Sequence, residues 1–145
     1  MHLSVIFLSA TLAPFAMAQT SCGGDKSKKG YCTPLEYVDR TGSGSPSSEQ
    51  CLDTCRSINS DAGDWGVDFN GKPDGYIDHM LHHDCGFSVT RVQGDTSDSS
   101  FLMHNQDILD LIDESINKFG GTHGGNVGAE GTMMCDGRKY KWIID

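Results

Sequence analysis

The clearest hydrophobic pattern in this chain of 145 residues is helical and lies in its last third. Between Gln106 and Phe119, apolar side chains recur at three- and four-residue intervals, which predicts a helix with one broad apolar face, formed by Ile108, Leu109, Leu111, Ile112, Ile116 and Phe119. Asp107 and Lys118 suit the two ends of the helix dipole. We expect Gly120-Gly121 to end the helix in a left-handed conformation, and the remaining acids to face solvent, namely Asp110, Asp113 and Glu114.

A shorter helix is predicted from about Ser48 to Asn59, after a loop rich in serine and glycine. Ser47 or Ser48 can cap its first turn, where Glu49 adds favourable charge. Its buried face carries two cysteines among apolar residues, comprising Cys51, Leu52, Cys55 and Ile58.

Four segments have the alternating or β-branched composition of strands: 31–37, 85–92, 127–135 and 138–144. Asp136-Gly137 joins the last two and is the preferred two-residue hairpin turn. In the final strand, Tyr140, Trp142 and Ile144 share one face, opposite Lys139 and Lys141.

The order of these elements predicts an α+β fold, an antiparallel sheet of about four strands with two helices packed on one face. Two stretches are predicted as loops. In Asp61–Tyr76, Trp65 is expected to cover the core from the loop, and the acidic, serine-rich Gly94–Ser100 is expected to be mobile. Most of the apolar surface available for a core lies in Asn105–Asp145. We therefore expect an interaction surface at the loops around Trp65 and Gly94–Ser100, and not in that stretch.

The chain begins with an apolar segment that ends in Ala16-Met17-Ala18, which predicts a signal peptide at residues 1–18 and a secreted, extracellular protein. The apolar run is shorter than a membrane span requires, so we expect no stable membrane insertion. An irregular amino-terminal arm at 19–30 and a single domain at 31–145 follow.

Six cysteines after a signal peptide predict three disulfides, made by Cys22, Cys32, Cys51, Cys55, Cys85 and Cys135. Cys51 and Cys55 lie one turn apart on a helix, too far for an unstrained bridge to each other. Excluding that bond leaves twelve connectivities. The formal net charge of −9 argues against binding to nucleic acid or to acidic membranes.

Candidate chemistry is sparse. His79 and His83 would share a face if they lay on a helix, with His104 or His123 as a third metal ligand, but the glutamate of the zincin pattern is missing. The segment 68–79 suggests a calcium loop, but Lys72 and His79 stand where oxygen ligands are needed. We therefore predict no catalytic residue, no metal site and no cofactor.

Four segments of the second half form a recognisable set: Cys85-Gly-Phe-Ser-Val, the helix Asn105–Phe119, Val127-Gly-Ala-Glu-Gly131-Thr-Met-Met-Cys135 and the closing Tyr140-Lys-Trp142-Ile-Ile. Together they resemble a fungal family, the necrosis-inducing factor family of secreted effectors of plant pathogens. Cys32, the loop 41–46, Cys51-Leu and Trp65 agree more loosely, so the resemblance covers about 31–145.

The resemblance implies a disulfide pattern. The family pattern has four cysteines, matching Cys32, Cys51, Cys85 and Cys135, which we expect to pair as Cys32–Cys135 and Cys51–Cys85. The two additional cysteines then pair as Cys22–Cys55 and hold the arm against the first helix.

The resemblance also implies the function of a non-enzymatic secreted virulence factor that binds a host protein or surface component and induces host cell death. A killer-type antimicrobial toxin is the alternative, since such toxins are also small, secreted and disulfide-bridged. A small secreted metal-dependent hydrolase is a further alternative.

Overall fold

The computed structural model describes residues 21–61 and 63–145, so the predicted signal peptide at 1–18 lies outside the described residues. The elements in chain order are β1 (Cys32–Asp39), α1 (Ser48–Ser60), β2 (Asp64–Asp68), β3 (Ile77–Leu81), β4 (Phe87–Arg91), β5 (Ser100–His104), α2 (Asn105–Phe119), β6 (Ala129–Cys135) and β7 (Arg138–Ile144). A short 3₁₀ turn, Gly120–Thr122, follows α2.

The strands form two antiparallel sheets. Five strands pair in the order β1-β6-β7-β4-β3, and β2 and β5 form a separate two-stranded ribbon. Over residues 21–61 and 63–145 the fold is therefore α+β with two helices and three disulfides, as predicted. The expected count of about four strands was too low, because β2, β3 and β5 were not predicted.

The missed strands have weak sequence signals. β2 reads DWGVD and includes a glycine, and β5 follows a serine-rich segment and runs directly into α2. β3 reads IDHML, in which polar and apolar residues do not alternate. Each of these strands is only five residues long and forms because a partner is available, which a local pattern does not reveal. Trp65 therefore packs against the core from a strand, not from a loop.

Both helices begin with a capping box. The Ser47 hydroxyl oxygen accepts the Gln50 backbone N–H, and the Ser47 backbone N–H donates to Gln50 Oε1, which starts α1. In α2 the cap is His104, whose Nδ1 accepts the Gln106 N–H, while the Asp107 carboxylate accepts the His104 N–H. The first turn of α2 is thus fixed by side chains on both sides of its start.

Two expectations about α2 were wrong. Asp113 is buried, with 8% of its surface exposed, because it accepts the backbone N–H of Cys22 in the arm. Gly120 has a right-handed φ of −59° and continues into the 3₁₀ turn. The chain reverses later, at Gly124 and Gly125, both with positive φ.

The core lies between the helices and one face of the five-stranded sheet. The predicted face of β7 is buried, with Tyr140, Trp142 and Ile144 at most 1% exposed. They pack with the buried residues of α2, Ile108, Leu109, Leu111 and Ile112. Asp136 and Gly137 both have positive φ, as a type I′ hairpin turn requires.

The structure contains three disulfides, Cys22–Cys55, Cys32–Cys135 and Cys51–Cys85, which are the pairs implied by the resemblance. Cys32–Cys135 joins neighbouring positions of β1 and β6. Cys51–Cys85 ties α1 to the segment just before β4, where the Thr54 hydroxyl also donates to the Cys85 carbonyl at 2.9 Å. Cys22–Cys55 holds the arm on α1.

Arg91 is a buried guanidinium that joins two loops. It is 5% exposed and donates to the carbonyl oxygens of Lys72 (2.8 Å), Pro73 (2.6 Å) and Ser97 (3.1 Å). Its charge also lies over the Phe69 ring, 5.5 Å from the centroid. The loops 69–73 and 95–99 therefore share one cationic anchor.

We expect Arg91→Met to lower the free energy of unfolding by about 2–3 kcal/mol, because three carbonyls lose a charged donor in a buried site. Urea unfolding followed by tryptophan fluorescence measures the change. Arg138→Met is the matched control, since that guanidinium is exposed and donates to the Ser97 hydroxyl at 2.8 Å. Equal losses in both variants would contradict the anchoring role of Arg91.

Candidate functional site

The histidine motif does not assemble the arrangement considered from sequence. His79 lies on β3, where its Nδ1 is 2.9 Å from the Ser88 hydroxyl, so the helical pairing of His79 with His83 is wrong. His82 and His83 belong to the turn after β3 and line an open polar groove of about 710 Å³ with Gln50, Asp53, Thr54 and Asp84. In the described part of the chain, no cluster of three or more His, Cys, Asp or Glu side chains could hold a metal ion.

In the segment considered as a calcium loop, the Asp68 carboxylate accepts hydrogen bonds from within the segment. Asp68 Oδ1 accepts the backbone N–H of Asn70 at 2.9 Å and its side-chain amide at 2.7 Å. The adjacent Gly71 N–H, at a position of positive φ, donates to Asp98 Oδ1 at 2.8 Å. These are the bonds of a side-chain-supported turn, and they also tie the acidic loop Gly94–Ser100 to its neighbour.

Two buried carboxylates, neither singled out as a site from sequence, anchor the amino-terminal arm. Asp107 is 6% exposed and accepts the N–H groups of His104 (2.8 Å), Tyr31 (3.0 Å) and Cys32 (3.2 Å). Asp113 accepts the Cys22 N–H at 2.9 Å and pairs with Lys26 at 3.0 Å. Burial raises the pKa of Asp107, while the three N–H donors act in the opposite direction.

Asp107 carried one usable sequence signal, its position three residues after the α2 cap, which is that of a capping-box acid. Asp107 also accepts the N–H groups of Tyr31 and Cys32 at the start of β1, at sequence separations of 76 and 75. This second role therefore leaves no local sequence pattern. Gly30 is required beside it, because a Cβ there would overlap the Asp107 carboxylate. Asp107 is therefore a structural residue.

Asp39 at the end of β1 forms an exposed ion pair with His123 at 2.6 Å. The Thr41 backbone N–H, then its hydroxyl and the His123 ring, lower the pKa of Asp39 to about 2. A carboxyl whose folded pKa is depressed contributes stability above its unfolded value. That contribution is lost as pH falls from about 4 to about 2.

We therefore expect Asp39 to titrate near pH 2 in the folded protein when its carboxyl carbon is followed by NMR. In Asp39→Asn, unfolding stability should depend less on pH between about 4 and 2. His123→Gln leaves the Thr41 bonds in place, so Asp39 should then titrate between its wild-type pKa and its ordinary value. A wild-type Asp39 that titrates at that ordinary value of 3.8 would refute this account.

An apolar cleft lies on the side of the molecule that carries the ribbon β2–β5. Tyr31, Phe101, Leu102 and Asp136 line it, and its volume is about 450 Å³. Tyr31 and Leu102 are 53% and 52% exposed, and they are among the few large apolar side chains that reach solvent in the described residues. The Tyr31 hydroxyl donates to Asp64 Oδ2 at 3.2 Å, so this surface adjoins the strand of Trp65.

Residues 31–135 match the family Hce2, described as "Pathogen effector; putative necrosis-inducing factor". The chain is also 32% identical to "Probable chitinase LysM18" and 29% identical to "Secreted chitinase LysM12", both from Penicillium expansum. The alignments cover 81% and 85% of this chain but only 9% and 8% of those proteins, so the chain spans less than a tenth of their length.

The matched region begins at the cleft residue Tyr31 and ends at Cys135 in the β6–β7 hairpin, so it includes the family-pattern cysteines of the sequence analysis. Among the residues that the structure describes, no helix is both long and apolar enough to cross a membrane. This chain belongs to the Hce2 family of pathogen effectors.

Proposed function

We propose that this chain is a secreted fungal effector that acts outside the fungal cell by binding a host target, without catalysing a reaction. The non-enzymatic part of this proposal rests on the hydrogen bonds that the two buried carboxylates make. Asp107 and Asp113 have the shielded positions that acid–base chemistry needs, yet they accept backbone N–H groups of the arm and of β1. The family supports the effector role.

Secretion is part of the same proposal, with cleavage after Ala18 and a mature chain that starts at Gln19. The mass of the protein recovered from culture medium tests the cleavage site directly. A mass that still includes residues 1–18 would overturn it.

Leaf infiltration tests the effector role. Purified oxidised protein should elicit a leaf response, such as local cell death, whereas the same preparation reduced and alkylated at its six cysteines should not. Spotting both preparations on microbial lawns runs in parallel. Clearing of the lawns without any leaf response would overturn the proposal.

The second candidate is a killer-type toxin directed at competing microbes, which the similarity to two proteins named chitinases favours. Chitin is a cell-wall polymer of fungi, so a domain shared with chitinases could act on fungal cells. The lawn assay tests whether the chain kills microbes. A separate assay of chitin hydrolysis shows whether it acts as an enzyme.

We expect no release of soluble sugar from chitin by this chain. The combined change His79→Ala, His83→Ala and Asp84→Asn should change neither the chitin assay nor the lawn assay. Those side chains line only an open groove or a strand edge. Hydrolysis by the wild type that this variant loses would show that the chain is an enzyme.

A further inference from the structure

The apolar cleft beside the ribbon has a floor and a rim of different chemistry. Its floor is aliphatic and aromatic: Phe101 is 7% exposed, with its ring centroid 4.2 Å from that of Tyr140 and the two planes tilted by 31°, and Leu102, the next residue of β5, is 52% exposed. Leu102 pairs with Gly66 across the ribbon, and no atom lies within 4 Å of where a Gly66 Cβ would stand. The leucine is therefore accessible from the side of β2 as well as from above.

The rim of the cleft is negative. Asp136 lines it directly, and Asp64 accepts the hydroxyl of Tyr31. Asp64 is two residues from Gly66 on the same strand, so it is a diagonal neighbour of Leu102, within about 7–8 Å. The whole chain carries a formal charge of −9, so its field adds to that of the rim and attracts cationic groups.

One side chain combines what these groups recognise. Arginine has an aliphatic stem for Leu102 and Phe101, a planar cation that stacks on an aromatic face such as Tyr31, and a fork of donors for the carboxylates of Asp64 and Asp136. A lysine ammonium lacks the stacking plane, and a neutral sugar would leave the carboxylate charges without a counterion.

We propose that the Tyr31–Leu102 cleft is a docking site for an exposed arginine on a partner polypeptide. This identifies the chemistry of the partner and rests on the proposed function, in which the chain acts by binding. Arginine is among the residues that dominate interface energetics when inserted into a pocket, and a negative rim speeds the approach of a basic partner and orients it.

The probes are N-acetyl-arginine amide and N-acetyl-citrulline amide, which have nearly the same shape but differ in charge. NMR titration of the ¹⁵N-labelled, oxidised chain at low ionic strength should show saturable shifts at Tyr31, Leu102 and Asp136 with the arginine probe. Affinity for citrulline should be at least tenfold weaker, and salt should weaken arginine binding. Equal affinity for both probes would overturn the proposal.

Variants locate the site. Asp64→Asn with Asp136→Asn keeps side-chain size, and asparagine tolerates the positive φ of 48° at position 136. We expect this pair to weaken arginine binding at least tenfold and Tyr31→Leu to weaken it severalfold. Asp74→Asn with Asp84→Asn changes the net charge equally at exposed positions outside the cleft, so affinity should stay within twofold.

If the control pair weakens binding as much as the cleft pair, only the net charge matters and the proposal is wrong. Tri-N-acetylchitotriose is the third probe, and saturable shifts at the cleft residues with it but not with arginine would assign the cleft to a sugar. These titrations need no leaf response, so failure of the arginine site and failure of the effector role are seen separately.

Discussion

Replacing Cys32 and Cys135 together by alanine is expected to lower the free energy of unfolding by about 4–5 kcal/mol. The disulfide closes a loop between residues 103 positions apart, the largest separation of the three bridges. Its absence lets the unfolded chain explore many more conformations, and the cost of closing a loop rises with loop length. Small domains have a free energy of unfolding of only about 5–15 kcal/mol. The variant should therefore reach its unfolding midpoint at a low urea concentration.

The measurement is urea unfolding without reductant, on protein refolded or secreted with its other two bridges intact. Cys22→Ala with Cys55→Ala is the matched control, because its bridge spans only 33 positions and should account for about 3.5 kcal/mol. Both pairs remove two sulfur atoms, so the difference reports loop length. A loss in the Cys32–Cys135 variant below that of the control would contradict the chain-entropy explanation.

The elements that could be predicted from sequence are those whose signal is local. The apolar face of α2 repeats along one helix, and the β6–β7 hairpin has alternating strands around Asp136-Gly137. In both cases neighbouring residues determine the structure and its buried face. The disulfide pairs depended on the family resemblance, because spacing alone left twelve connectivities open.

The elements that were missed depend on partners far along the chain. β2 forms because it pairs with β5, which lies more than thirty residues away, and Asp113 is buried because the arm donates the Cys22 N–H to it across 91 positions. An acidic residue on a helix otherwise predicts a solvated face. Nothing close to Asp113 in sequence distinguishes it from Asp110, which remains half-exposed.

The residues of the candidate cleft also come from distant parts of the chain. Tyr31 precedes β1, Phe101 and Leu102 come from β5, and Asp136 comes from the final hairpin turn. The interaction surface expected near Trp65 stays a prediction, and Asp64, which accepts the hydroxyl of Tyr31, belongs to the same strand as Trp65. The cleft itself could not be predicted, because no segment contains more than two of its residues.

Gly131→Ala is expected to destabilise the fold by about 3 kcal/mol or more, enough to reduce secretion of folded protein. Gly131 lies in the middle of the sheet on β6, between Tyr37 of β1 and Trp142 of β7. A Cβ there would overlap the Glu36 carbonyl oxygen and lie 2.5 Å from Trp142 Cζ2. Neither neighbour can give way, because the Glu36 oxygen belongs to the paired backbone and Trp142 is completely buried.

Gly66→Ala provides the matched control for Gly131→Ala. Gly66 is also a strand glycine opposite a paired residue, but a Cβ there would meet no atom within 4 Å. Alanine should therefore be neutral or stabilise the fold by up to about 1 kcal/mol, because it reduces the conformational freedom of the unfolded chain. Thermal unfolding of the two purified variants gives the comparison. If Gly131→Ala unfolds at the wild-type temperature, β1 and Trp142 are not packed against Gly131 as closely as the structure has them.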